Sequence, residues 1–331
     1  MRHSASAYLV LTTIAAFTCA SVSAQPKPAG ADYPTRVVRI VLPQPAGGGT
    51  DTVARTVAAK LTEAWGQQVI VDNRPGANGI IGAEAVAKSK PDGYTLLYGF
   101  TSMLTINPSV FKALPYDTLR DFVPVTQTVT NQMALVVNPY LPVRTVKELA
   151  ALARSRPGDL LYGSFGIGNQ THLTTELFRL EAKLKLLHVP YKGETPSIAD
   201  LVAGQVALMF SPSAGVTPFV KAGRLRLLAM AGEMRSAAFP DTPTMIESGF
   251  PGVISTGWGA LLAPAGTPQD IVQKVQRDAA RGIWESEVRG RVAGLGADAV
   301  GSTPEQVGAW IKAETEKWTR VVKGAGLYHS Q

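Results

Sequence analysis

The sequence predicts an α/β protein built as two lobes joined by hinge strands, with a ligand cleft between them. Three observations carry this expectation. Short apolar runs alternate with amphipathic stretches from Arg36 to the C-terminus, the pattern of parallel strands covered by helices on both faces. The chain has 331 residues, more than one core of ordinary size covers. Two glycine-bearing loops, each between a strand-like run and a helix start, stand more than a hundred residues apart, as two jaws meeting at one ligand would.

The elements follow in order. Arg2, the apolar "AYLVLTTIAAFTCA" and the small residues "SVSA" form a secretory leader over residues 1–24, with cleavage expected near Ala24 and a periplasmic destination. The apolar stretch is short for a membrane span, and no other stretch approaches the ~20 apolar residues that a span requires. Cys19, the single cysteine, lies in this leader, and "AFT" before it lacks the small residues that precede a lipidated cysteine. The mature chain therefore has no disulfide, thiol nucleophile or cysteine-held metal. "RVVRIVLP" (Arg36 to Pro43) reads as a strand. A helix follows with Val53, Val57, Leu61 and Trp65 on one face, ended by Gly66. "QVIVDN" and "YTLLYG" are strands flanking the helix "NGIIGAEAVAKSKPDG". Thr145 and Glu148 form a capping box at the start of the next helix. "LLYGSFG", "LLHVPY", "ALMFS" and "LRLLAMA" are short strands separated by helical stretches. The long last helix has Thr303 as cap, Pro304 in its first turn and Gln306 closing a second capping box. One lobe is expected to hold residues 25–125 and 256–331, the other residues 126–255.

Composition removes several function classes. Hydrophobic residues make up 45% and charged residues 17%, as in folded soluble proteins. The net charge of +7 falls to +6 when Arg2 leaves with the leader, a mild bias toward anions. Lysines and arginines are dispersed and not interleaved with aromatics, which argues against nucleic acid.

The stretch "PAGGGTD" holds Ala46, Gly47, Gly48, Gly49, Thr50 and Asp51. Glycines let backbone approach a ligand closely, and a helix start offers free N–H groups and a positive dipole end. A phosphate loop needs Gly-Lys-Ser/Thr, and a dinucleotide loop needs G-x-G-x-x-G; neither occurs here. The remaining readings are an anion cradle for a carboxylate or phosphate, and a plain turn. A similar loop, "YGSFGIGNQTHL", offers Ser164, Phe165, Gly166, Gly168, Asn169, Gln170 and Thr171. Thr101 and Ser102 follow a third strand and add hydroxyls. Taken singly, each hydroxyl suits turn or cap use as well. Catalytic patterns are missing. "GSFG" is not a nucleophile elbow, and His172, His188 and His329 do not stand at metal-ligand spacing. His188 reads as a strand histidine, His172 as support for a helix start, and Trp258 as core or cleft wall. No cofactor or metal is expected.

Together, "YPTRVVRIVLPQPAGGGTD", "VIVDNRPGANGIIGAEAVAKSKPDGYTLL", "HVPYKG", "FPDTPTMIESGFPG" and "LLAPAGTP" resemble the Bug (TctC-type) extracytoplasmic solute receptors of tripartite tricarboxylate transporters, over nearly the whole mature chain. The resemblance implies a type II periplasmic binding protein that is not an enzyme. It would be a monomer, closing on a small organic carboxylate and docking on membrane permease subunits. The first glycine loop would grip the carboxylate, opposed by the loop from Ser164 to Thr171, with Thr101 and Ser102 beside them. The chain departs from the family pattern at Ala207 and Ser211, where acids are common, and in "GNQTH". Glu194 stands after "YKG", where a small residue is usual. Loss of an acid at Ser211 suits a ligand without an ammonium group, larger or aromatic, near Phe165 or Trp258. Two other classes stay open on the residues alone: a ligand-responsive partner of a membrane signalling protein, and, less favoured, a hydrolase or phosphoryl transferase.

Overall fold

A computed structural model describes residues 32–331; the leader, its cleavage point and Cys19 lie outside the described residues. The elements run β1 (Val38–Leu42), α1 (Gly49–Trp65), β2 (Val69–Asn73), α2 (Ile80–Ala87), β3 (Thr95–Phe100), α3 (Asn107–Val110), β4 (Phe122–Val137), α4 (Val146–Ser155) and β5 (Leu161–Ser164). They continue with α5 (Gln170–Glu181), β6 (Leu187–Pro190), α6 (Glu194–Val202), β7 (Leu208–Pro212), α7 (Ser213–Lys221) and β8 (Arg226–Met230). The last are β9 (Thr256–Pro264), α8 (Gln269–Trp284), α9 (Ser286–Gly294), β10 (Ala297–Ala299) and α10 (Pro304–Gly324).

The strands lie in the order β2-β1-β3-β9-β4-β7-β5-β6, with β8 and β10 also paired to β4. The parallel pairing expected from strand–helix alternation holds for β1 with β2 and β3, and for β5 with β6 and β7. The centre differs. There β9 runs antiparallel to both β3 and β4, and β4 runs antiparallel to β7 and β8. The cause is β4 itself, a single strand of 16 residues. Its first part pairs β9, and its last part, Met133–Val137, pairs β7. It is thus the backbone shared by two half-sheets.

Side-chain alternation, with its period of two, builds a core on each face of each half. Val38, Ile40, Leu42, Leu96 and Tyr98 pack with α1 and α8, while Val41, Leu97 and Leu262 pack with α2 and α10 on the other face. In the second half Met133, Leu135 and Val137 face α4 and α5, and Ala134 and Val136 face α6 and α7. Both capping boxes form: Thr145 accepts from the Glu148 amide, and Thr303 from the Gln306 amide.

Candidate functional site

The first loop ends in an N-cap, Gly48, that has no side chain to offer α1. Asp51, in the first turn, turns back to brace the loop. Its carboxylate accepts from Gly47 N at 3.0 Å, Arg55 Nε at 2.9 Å and Asn73 Nδ2 at 2.9 Å. Burial alone would raise its pKa, but the bonds from Arg55, Gly47 and Asn73 outweigh it and hold the carboxyl below the ordinary range.

The open amides of α1 are met from the other half of the molecule. Glu194, the first residue of α6, brings Oε1 to 3.1 Å from Gly49 N and also accepts from the Thr50 amide. The side chain is 3% exposed. Its Oε2 is buried with no hydrogen-bond partner among the described residues. The start of α7 closes the third side. A Cβ on Gly49 would lie 2.6 Å from the Ala214 carbonyl carbon, and one on Gly215 would overlap the Glu194 carboxylate. Three helix beginnings, each a positive dipole end, therefore converge on one carboxylate. Burial pushes the Glu194 pKa up, and the Gly49 and Thr50 amides oppose that rise.

The second loop is ordered by its own polar groups. Asn169 caps α5 by accepting from Thr171 N at 3.1 Å, and Thr171 Oγ1 accepts from Phe165 N at 2.8 Å. Gln170 N donates to Ser102 Oγ at 3.0 Å, in a wide π-helical turn that follows β3. The two halves thus exchange caps: Glu194 from the second serves α1, and Ser102 from the first serves α5. Thr101 Oγ1 accepts from Trp258 N at 3.1 Å, which leaves its hydroxyl proton free to point elsewhere.

A chamber of about 40 Å³ lies between these pieces, room for little more than water. Of the residues singled out in the sequence, Thr50, Thr101, Ser102, Phe165, Asn169, Gln170 and Thr171 form its walls. Phe165, Gly166 and Asn169 also border an outer hollow of about 710 Å³, with Lys192 and Tyr191 at its rim. Ala46, Gly47, Gly48, Gly49, Asp51, Ser164 and Gly168 do not line the chamber. Ser211 does not reach the chamber either. It sits on β7 opposite Ala134, fully buried, on the same face as Met209, which packs toward α6 and α7. The neighbouring Pro212 provides the wall instead. Sequence reasoning passed over Gln44, Asn131 and Tyr98, and left Trp258 between core and cleft. Trp258 lines the chamber, 2% exposed, and its Nε1 has no partner among the described residues; neither has Asn131 Oδ1. Among the described residues no Asp, Glu, Lys, Arg or His lines the chamber. An acid there meets amides, hydroxyls and an indole N–H instead of a cation.

Ser164 Oγ lies 2.6 Å from His188 Nε2, a distance a nucleophile and base would share. Ser164 is fully buried and lines neither the chamber nor the outer hollow, however, and His188 is stacked on His172 at 3.9 Å and on Tyr162 at 4.8 Å. His172 Nδ1 accepts from Gly168 N at 3.1 Å. Burial, and then the neighbouring His172, lower the His188 pKa to about 4. This cluster supports the loop from beneath. Among the described residues no group of His, Cys, Asp or Glu is placed to hold a metal, and no helix is long and apolar enough to cross a membrane.

Two α/β halves sharing a central strand, with a chamber at their opposed helix starts, define a periplasmic binding protein. Residues 53–327 match the TctC family, the Tripartite tricarboxylate transporter family receptor, and the chain belongs to that family of receptors, which are not enzymes. It is 38% identical to Protein BugT of Bordetella pertussis over 301 residues, 90% of this chain and 92% of BugT. Among solved structures, an R. palustris protein with adipate superposes with a TM-score of 0.87 at 36% identity, covering 89% of this chain and 98% of that one. MatC from Rhodopseudomonas palustris with bound malate gives a TM-score of 0.83 at 31% identity, covering 88% and 100%.

Proposed function

We propose that this protein is an extracytoplasmic receptor that captures a small organic carboxylate. It delivers that solute to the membrane permease subunits of a tripartite tricarboxylate-type transporter. The observation that supports this most is the chamber wall: Thr101, Ser102, Thr171 and the Trp258 indole, with no ionised side chain, between two helix beginnings. Such a surface favours an anion through dipoles and N–H or O–H donors, without a counter-charge to hold it irreversibly. The neighbours with adipate and malate make a carboxylate the natural class. In this reading one lobe holds residues 25–125 and 256–331 and the other residues 126–255. The cleft opens about the hinge strands to admit solute and recloses over it, so binding shifts an open–closed population. The protein acts as a periplasmic monomer once residues 1–24 are removed.

A thermal-shift panel tests the reading. Linear and aromatic carboxylates at millimolar concentration should include compounds that raise Tm by several degrees, as ligands of the native state do. Matched amines, sugars and alcohols should not. Stabilisation by sugars or amines alone removes the carboxylate assignment. Native mass spectrometry of freshly purified protein then gives the mass of any co-purified solute.

A further inference from the structure

The α1 beginning has the backbone geometry of an anion cradle. Its cap residue, Gly48, has no side chain, and the Gly49 and Thr50 amides point outward. That cradle is filled by the protein's own acid. Glu194 reaches it from α6, is almost wholly buried, and is boxed in by the absence of side chains at Gly48 and Gly215, where a Cβ would strike the carboxylate. Thr50 and Ala214, which flank Glu194, are chamber walls, so the carboxylate stands directly behind one end of the chamber.

We propose that Glu194 determines solute specificity by occupying the α1 cradle permanently, so that the receptor takes monocarboxylates and rejects dicarboxylates of the same chain length. This rests on the reading that the chamber binds a carboxylate. With the Gly49 and Thr50 amides engaged, a single acid-binding end remains, formed by Thr101, Ser102 and the unpartnered Trp258 Nε1. Val53, Phe100 and Met133 also line the chamber and suit an uncharged body. A second carboxylate would reach the Thr50 end with the two helix-start amides already engaged by Glu194, and a buried charge that loses its strongest donors is disfavoured.

Isothermal titration of the mature protein with two matched pairs, butanoate against succinate and hexanoate against adipate, tests this. The wild type should bind the monoacid of a pair at least tenfold tighter than the diacid. Glu194→Ala, which frees the two amides, should gain at least tenfold for the diacid and change little for the monoacid. Glu194→Gln, whose amide oxygen still accepts from Gly49 and Thr50, should keep the wild-type preference. Wild-type binding of a diacid as tight as its monoacid overturns the inference, and that measurement stands even if a variant fails to fold. So does an equal gain for both acids in Glu194→Ala, which means that the solute displaces Glu194. A gain in Glu194→Gln as large as in Glu194→Ala also overturns it, because charge and not occupancy then rules. If no monoacid or diacid binds any form, the carboxylate reading itself falls, and this inference with it.

Discussion

At the residue scale, the start of α1 lies close against the backbone at the start of α7. A methyl group at Gly49 would sit 2.6–2.8 Å from the backbone atoms of Ala214 and Gly215, none of which can rotate away. Gly49→Ala should therefore prop the halves apart and leave each core intact. Solute affinity should fall by tenfold or more by titration, while Tm drops by only a few degrees, since one strained contact is worth about 1–3 kcal/mol. An unchanged affinity would show that closure does not need this contact. The hydroxyl and amide walls, Thr101, Ser102 and Asn169–Thr171, were legible in the sequence because each follows a strand and precedes a helical turn. Trp258 was not, because the sequence does not reveal where an indole N–H points. Glu194 was visible only as a departure from a pattern. Nothing in its immediate neighbours says that α6 will deliver it to a helix start 145 residues earlier.

At the element scale, both capping boxes were readable because their chemistry is local: a hydroxyl, a carboxyl or amide, and three residues of spacing. Strand β4 was not readable as one unit. Its middle, "TQTVTNQ", is polar, and the register with β9 slips between Pro124 and Thr126 and again between Gln127 and Val129. Only pairing on both sides makes that segment a continuous strand. The stacked histidines between β5, β6 and α5 also depend on tertiary placement. His188 faces Tyr162, Ser164, His172 and, at longer range, Glu176. Its pKa is depressed to about 4 from 6.5, so the folded state prefers it neutral. The associated stability is complete above about pH 6.5 and is lost as pH falls toward about 4, because the unfolded chain takes up the proton first. After allowance for partial exposure, this is about 1–2 kcal/mol. Thermal unfolding should show Tm falling between pH 7 and pH 4.5, with a shallower fall in His188→Gln. A parallel fall in both proteins would place the acid sensitivity elsewhere.

At the scale of the whole molecule, the expectation of two α/β lobes around a cleft follows from alternation and length, and the family relationship agrees with that architecture. Strand direction at the centre did not follow, since alternation speaks of strand neighbours along the chain and β4 and β9 meet across it. Because the last stretch of β4 is hydrogen-bonded into the second half while its beginning is a central rung of the first, neither half keeps a complete sheet if the other melts. Calorimetry should record one endotherm, with a van't Hoff to calorimetric enthalpy ratio near one; two separable endotherms would show that the halves melt independently. The same beam has a consequence for inheritance. A recombination event that exchanged one lobe between two relatives would have to cut inside this strand, so such receptors are expected to diversify by point substitution at the cleft rather than by shuffling halves.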